Sequence, residues 1–113
     1  MEEFKGKTVI VTGGAHGIGR CIADEFAARG ANVCIIDKRE GDHFVGDISS
    51  RQTLEEFASF VLSKYSKVDV IVNNALPLMK GIDECTYEEF QYALSVGVTA
   101  PFYLVKLLKD HLS

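Results

Sequence analysis

Thr12-Gly13-Gly14-Ala15-His16-Gly17-Ile18-Gly19 sets Gly13, Gly17 and Gly19 at the spacing G-x-x-x-G-x-G. Before it runs Thr8 to Thr12, Thr-Val-Ile-Val-Thr, a β-branched segment that predicts a buried strand. After it, a helix is predicted from about Ile18 to Arg29, with Ile18, Ile22 and Phe26 on its packed face. A glycine turn between strand and helix offers backbone amides at the positive end of a helix dipole, with no Cβ to hold a ligand off. That chemistry suits a pyrophosphate. The competing use of such glycines is the G-x-x-x-x-G-K-[ST] phosphate loop. Counted from Gly14 the spacing reaches Gly19, but Arg20 and Cys21 stand where Lys and Ser or Thr must act. The competitor fails at both active positions.

Asp37 ends a second apolar run, Asn32 to Asp37, at close to the spacing of about 20 residues that follows such a glycine loop. A carboxylate there accepts hydrogen bonds from both ribose hydroxyls of an adenosine and repels a 2′-phosphate. The expected cofactor is therefore NAD rather than NADP. Lys38 and Arg39 follow directly and can partly accommodate a phosphate, which leaves NADP open on that side. His16, inside the loop, reads as a solvent-facing spacer rather than an acid/base.

The elements that must hold these residues follow from pattern. Gly30 is placed as the C-terminal cap of the first helix. Strand, helix and strand then form one β-α-β unit with a right-handed crossover. Only Lys38 to Asp42 separates the second strand from a short third one at His43 to Gly46, so the usual crossover helix is expected to be lost. Ser49-x-x-Gln52 predicts a capping box opening a helix to about Tyr65, with Leu54, Phe57, Ala58, Val61 and Tyr65 as its apolar stripe. Val68 to Asn73 reads as the fourth strand. Thr86-x-x-Glu89 opens a last helix carrying Phe90, Leu94, Leu104 and Leu108, and Pro101 predicts a bend or break near Gly97. The order β-α-β-β-α-β-α predicts an α/β fold: a Rossmann-like parallel sheet of about four strands, order 3-2-1-4, with flanking helices. Residues 1–113 are read as a single dinucleotide-binding domain.

Bulk properties narrow the classes. The chain has 113 residues, 47% hydrophobic and 25% charged, with a formal net charge of −4. Lys and Arg are scattered, which argues against nucleic acid as a partner. Cys21, Cys34 and Cys85 form no C-x-x-C pair and no metal-ligand spacing with histidine, so no metal is expected. Cys34 reads as a core residue, and the pattern fits a reducing, cytoplasmic compartment. The start, Met-Glu-Glu-Phe-Lys, is unlike a signal peptide, and no apolar stretch approaches the ~20 residues of a membrane helix.

These residues together resemble the short-chain dehydrogenase/reductase family. The glycine segment is similar to its T-G-x-x-x-G-x-G fingerprint. Asn73-Asn74-Ala75 resembles its N-N-A-G element, with Leu76 in place of the glycine, and Asp47-Ile48 resembles its D-[VIL] pair. The resemblance covers essentially the whole chain and corresponds to the front half of the family's doubly wound fold. It implies that Gly13, Gly17 and Gly19 hold the pyrophosphate and pack the first helix, and that Ile18 contacts the cofactor through its backbone. It implies further that Asp37 binds the adenosine ribose, Asp47 and Ile48 flank the adenine, and Asn74 and Ala75 line the nicotinamide-side ribose. Thr12 and Asn73 would tie the first and fourth strands together.

The same resemblance implies a catalytic Ser and a Tyr-x-x-x-Lys pair that these residues do not supply. Tyr103 is followed by Lys106, three residues on, and Tyr65, Tyr87 and Tyr92 have no Lys four residues later. Where many members carry an Asn in the last helix, this chain has Gly97. No catalytic residue is therefore assigned, and no dehydrogenase turnover is expected from this chain alone. Three readings stand: an NAD(H)-binding half that is inactive alone, an oxidoreductase completed by a second chain, and a non-enzymatic oligomerising scaffold. The first is preferred, because a scaffold need not keep the glycines and Asp37. Self-association is expected through the last helix or through an open sheet edge where Val68, Val70, Ile71 and Val72 lie under-covered.

Overall fold

A computed structural model of the chain describes residues 3–76 and 80–112; Met1 and Glu2 of the acidic start, and Ser113, lie outside them. The elements run β1 (Thr8–Thr12), α1 (Gly17–Ala28), β2 (Asn32–Asp37), β3 (Phe44–Val45), α2 (Arg51–Tyr65), β4 (Val70–Asn73), α3 (Tyr87–Leu94) and α4 (Ala100–Leu108). All strand pairs are parallel, in the order β3-β2-β1-β4. The expected topology is the observed one, and the link between β2 and β3 carries no helix.

Strand alternation divides the core into two layers. Val9 and Val11 of β1 face α1, where they meet Ala23, Ile22 and Phe26. Ile10 faces the other way, into a larger cluster with Cys34, Ile36, Phe57, Val61, Leu104 and Leu108. That larger layer rests under α2 and α4. On the α1 side no second helix covers the sheet among the described residues, so Val33, Ile35, Val70 and Val72 stay half-buried. The lost crossover helix accounts for the exposure at β2.

Helix ends follow local chemistry. Gly30, at φ +95°, closes α1: its N–H donates to Ala27 and that of Ala31 to Phe26, the paired bonds of a Schellman turn. Thr86 and Glu89 form the expected capping box. The α2 cap lies one residue later than its sequence pattern suggests: Ser50 Oγ, not Ser49, accepts the Thr53 N–H, while the Ser49 amide is taken by Asp47 Oδ1. Between α3 and α4, Ser95–Thr99 widens into a π turn in which the Ala100 N–H reaches back to the Ser95 carbonyl. Pro101 has no N–H for the carbonyl one turn earlier, so the expected break takes this form.

Three packing expectations are corrected. Ile18 is 75% exposed and leaves the packed face of α1 to Gly19, Ile22, Ala23 and Phe26. Phe90 and Leu94 are exposed, and Ala93, Val96 and Ala100 are buried in their place. Val68 is not under-covered. It is fully buried, its N–H donates to the His111 carbonyl, and it pairs in parallel with Leu112. Val70, Ile71 and Val72 are half-buried.

Candidate cofactor site

The carboxyl ends of β1, β2 and β4 carry the residues singled out by the glycine motif. Gly13 and Gly17 both have positive φ, +65° and +60°, which side-chain-bearing residues rarely adopt. A Cβ on Gly17 would meet nothing within 4 Å, so the loop is open there. A Cβ on Gly19 would strike the Gly13 carbonyl and the Asn74 side-chain amide. The two glycines do different jobs: one leaves the loop open and the other lets α1 pack against it. His16, the N-cap of α1, makes no side-chain capping bond, and no acidic residue sits in the first turn. The positive end of the helix is thus uncapped and faces an open, glycine-lined space, which fits an anionic pyrophosphate.

Two residues fix this loop to the sheet. Thr12 Oγ1 accepts the amides of Asn74 and Ala75, each at 3.1 Å. Asn74 Nδ2 donates to the Gly13 carbonyl at 3.0 Å. Thr12 therefore ties β1 to the end of β4, as expected. Asn73 joins them through its place opposite Thr12 in the β1–β4 ladder.

Asp37 is buried, with 6% of its surface exposed. Its Oδ2 accepts the Ala15 amide at 3.1 Å and its Oδ1 accepts the Arg39 amide at 3.0 Å. His16 Nδ1 lies 3.8 Å from Oδ2, so His16 borders the carboxylate while its side chain remains exposed. A carboxylate held by backbone amides is fixed in place beside the glycine loop, ready to accept further donors on its remaining lone pairs.

Asp47 lies past β3, with Oδ1 on the Ser49 amide at 2.9 Å and Oδ2 on the Tyr92 hydroxyl at 2.9 Å. Burial pushes its carboxyl up, but the bonds from Ser49 and Tyr92, with the nearby Lys38 charge, outweigh this and hold it below its ordinary range. Burial, then the Asp47 bond, push the Tyr92 hydroxyl up. The Ile48 side chain is buried in the larger core cluster, so only its backbone is available to a ligand. Tyr92 was not among the sequence candidates. No local spacing links positions 47 and 92, and only the fold brings them together. Among the described residues no group of three or more His, Cys, Asp or Glu could hold a metal ion. No helix there is long and apolar enough to cross a membrane.

The family profile described as short chain dehydrogenase matches residues 7–113. The chain belongs to the short-chain dehydrogenase family. L-fucose dehydrogenase of Mus musculus is 33% identical over 126 aligned positions, covering 99% of this chain and 46% of that protein. Cis-2,3-dihydrobiphenyl-2,3-diol dehydrogenase of Paraburkholderia xenovorans (strain LB400) is 36% identical, covering 65% of this chain and 31% of its own length. Among solved structures, an apo SCOR enzyme from Clostridium thermocellum superposes with a TM-score of 0.87 at 41% identity, over 93% of this chain and 49% of that one. A short chain dehydrogenase from Burkholderia cenocepacia, in complex with NADP, gives 0.88 at 25% identity, over 99% and 53%. The chain thus spans about half the length, or less, of the relatives it matches.

Proposed function

We propose that this chain is the NAD(H)-binding half of a short-chain oxidoreductase that moves hydride between NAD(H) and an alcohol or carbonyl substrate. The observation that carries this reading is the buried Asp37 carboxylate beside an open glycine loop on an uncapped helix. Gly13, Gly17 and Gly19, with the Ile18 backbone, cradle the pyrophosphate. Asp37 takes the adenosine ribose hydroxyls and disfavours a 2′-phosphate. Asp47 and the Ile48 backbone flank the adenine, and Asn74 and Ala75 border the nicotinamide-side ribose. The side-chain amide of Asn74 is already engaged by Gly13, so holding the loop is its first role. When bound, the cofactor supplies the hydride donor or acceptor.

Two solved structures of similar fold are in complex with NADP, so the NAD(H) reading for this chain rests on its own residues at the end of β2. Residues 1–113 contain no Tyr-x-x-x-Lys pair, and we propose that alone they bind cofactor without turning over an alcohol. Free cysteines at positions 21, 34 and 85 fit a reducing cytoplasm. The exposed stripe Phe90, Leu94, Val98, Phe102 and Val105, running along α3, the π turn and α4, supports self-association over that face.

A second reading is completion of the active oxidoreductase by a further segment or chain. The parallel bridge between Val68 and Leu112 favours it, because it opens a strand position outside β4. Titration of the folded protein into NADH, followed by nicotinamide fluorescence with NADPH as comparison, tests the main reading. The chain has no Trp to interfere. Saturable enhancement with NADH and little with NADPH is expected. No response to either from a folded sample overturns the NAD(H) assignment.

A further inference from the structure

Lys38 stands one residue past Asp37, where an ammonium would favour a 2′-phosphorylated adenosine. Its side chain is committed elsewhere. Lys38 Nζ lies 3.4 Å from the Tyr92 hydroxyl and 5.5 Å from the centre of the Tyr92 ring. That hydroxyl in turn donates to Asp47 Oδ2 at 2.9 Å. The ammonium sits at the hydroxyl end of the ring, held by its hydrogen bond to that oxygen, by a weak attraction to the ring and by the charge of the carboxylate behind the hydroxyl. We propose that Tyr92 is a specificity-determining residue: by holding the Lys38 ammonium, it denies a 2′-phosphate that cation and tilts the site toward NAD(H). This rests on the NAD(H) reading above.

The chemistry separates the two effects of Tyr92. Its bond to Asp47 bears on the adenine, which NADH and NADPH share, so losing that bond weakens both alike. Its hold on Lys38 bears only on the 2′-phosphate. The ratio of the two affinities therefore isolates the tether. Arg39 also follows Asp37, but its charge is present whether or not Tyr92 is, and it cancels in the same comparison.

The test is fluorescence titration of NADH and NADPH into the full chain and its Tyr92→Leu, Tyr92→Phe, Lys38→Gln and Lys38→Gln/Tyr92→Leu variants, with melting curves to confirm folding. Tyr92→Leu, which loses ring and hydroxyl, is expected to shift the affinity ratio toward NADPH by about three- to tenfold. Tyr92→Phe keeps the ring and shifts it less. Lys38→Gln alone leaves the ratio within about twofold, and added to Tyr92→Leu it removes the gain. An unchanged ratio in Tyr92→Leu, or a gain that survives loss of Lys38, overturns the inference while NADH binding by the parent chain stands. Failure of the folded parent to bind either nucleotide removes the NAD(H) reading, and this inference with it. Should Tyr92→Leu not fold, an unchanged ratio in Tyr92→Phe together with a shift in Lys38→Gln alone overturns it as well.

Discussion

The side-chain amide of Asn74 donates to the Gly13 carbonyl at 3.0 Å, and both groups occupy the space that a Cβ on Gly19 would need. Gly19→Ala drives a methyl into a backbone carbonyl anchored at the end of β1, and overpacking of this kind costs about 1–3 kcal/mol. Gly17 offers the contrast. Its space is open, so Gly17→Ala meets only the penalty of its left-handed backbone, about 1 kcal/mol. Both variants are expected to lose NADH binding, since each puts a methyl on the cradle or shifts it. Urea melts beside NADH titrations check the pair; equal melts would show that Gly19 is not the packing position.

Asp37 is expected to act on stability and on selectivity at once. In Asp37→Asn the side-chain NH2 faces one of the two amides, Ala15 or Arg39, that the carboxylate now accepts. A donor left without a partner at a buried site costs about 1–3 kcal/mol. Loss of the negative charge should also move the NADH to NADPH affinity ratio toward NADPH, by about tenfold. A destabilised variant with an unchanged ratio would make Asp37 a loop anchor only.

Ser50→Ala should destabilise the chain by about 1 kcal/mol, the usual value of an N-cap, because Ser50 Oγ accepts the Thr53 amide. Ser49→Ala should fall within about 0.5 kcal/mol of the parent, as ordinary surface substitutions do. Thermal melts of the two variants distinguish the positions, and the reverse order would return the cap to Ser49.

The same pair shows what sequence can and cannot carry. Strand order, the missing crossover helix and the glycine loop were legible because β-branched runs, periodicity and glycine spacing are local signals. The cap position was not, because Ser49 and Ser50 are equally good caps by residue type, and the local turn in which Asp47 Oδ1 accepts the Ser49 amide starts the helix one residue later. Ile18 and Phe90 have the spacing of core residues. Whether anything packs over them is settled by the fold, and both stand exposed. Tyr92 was invisible for the same reason: its partners, Lys38 and Asp47, come from distant segments.

Asp47 should titrate below the ordinary aspartate value of about 3.9. A depressed folded pKa contributes stability that is complete above that ordinary value and is lost as pH falls through it toward the folded value. Tyr92→Phe removes one of the bonds that lower it, so Asp47 should titrate higher and the variant should lose less stability on going from neutral pH into acid. Carboxyl-detected NMR titration of the two proteins checks the direction. An Asp47 pKa that does not move would mean that the Tyr92 hydrogen bond is absent in solution.

The exposed stripe along α3, the π turn and α4 gives the last prediction. Phe90, Leu94, Val98, Phe102 and Val105 recur at nearly four-residue spacing, with Val98 61% and Phe102 64% exposed. Such a repeat drifts round an α-helix by about 40° per step, and the wider π turn at Ser95–Thr99 takes back part of that drift. The five side chains therefore stay on one side of the helix, forming an apolar band of the kind that marks association surfaces. Light scattering of the parent chain at high concentration should report a species larger than a monomer. Val98→Asp with Phe102→Asp should return it to a monomer, with NADH binding intact because neither residue borders the glycine loop. If the double variant still associates, the outer edge of β4 is the contact instead, since backbone groups there can pair with another strand whatever stands on α4. A parent chain that stays monomeric at high concentration would sink self-association by either route.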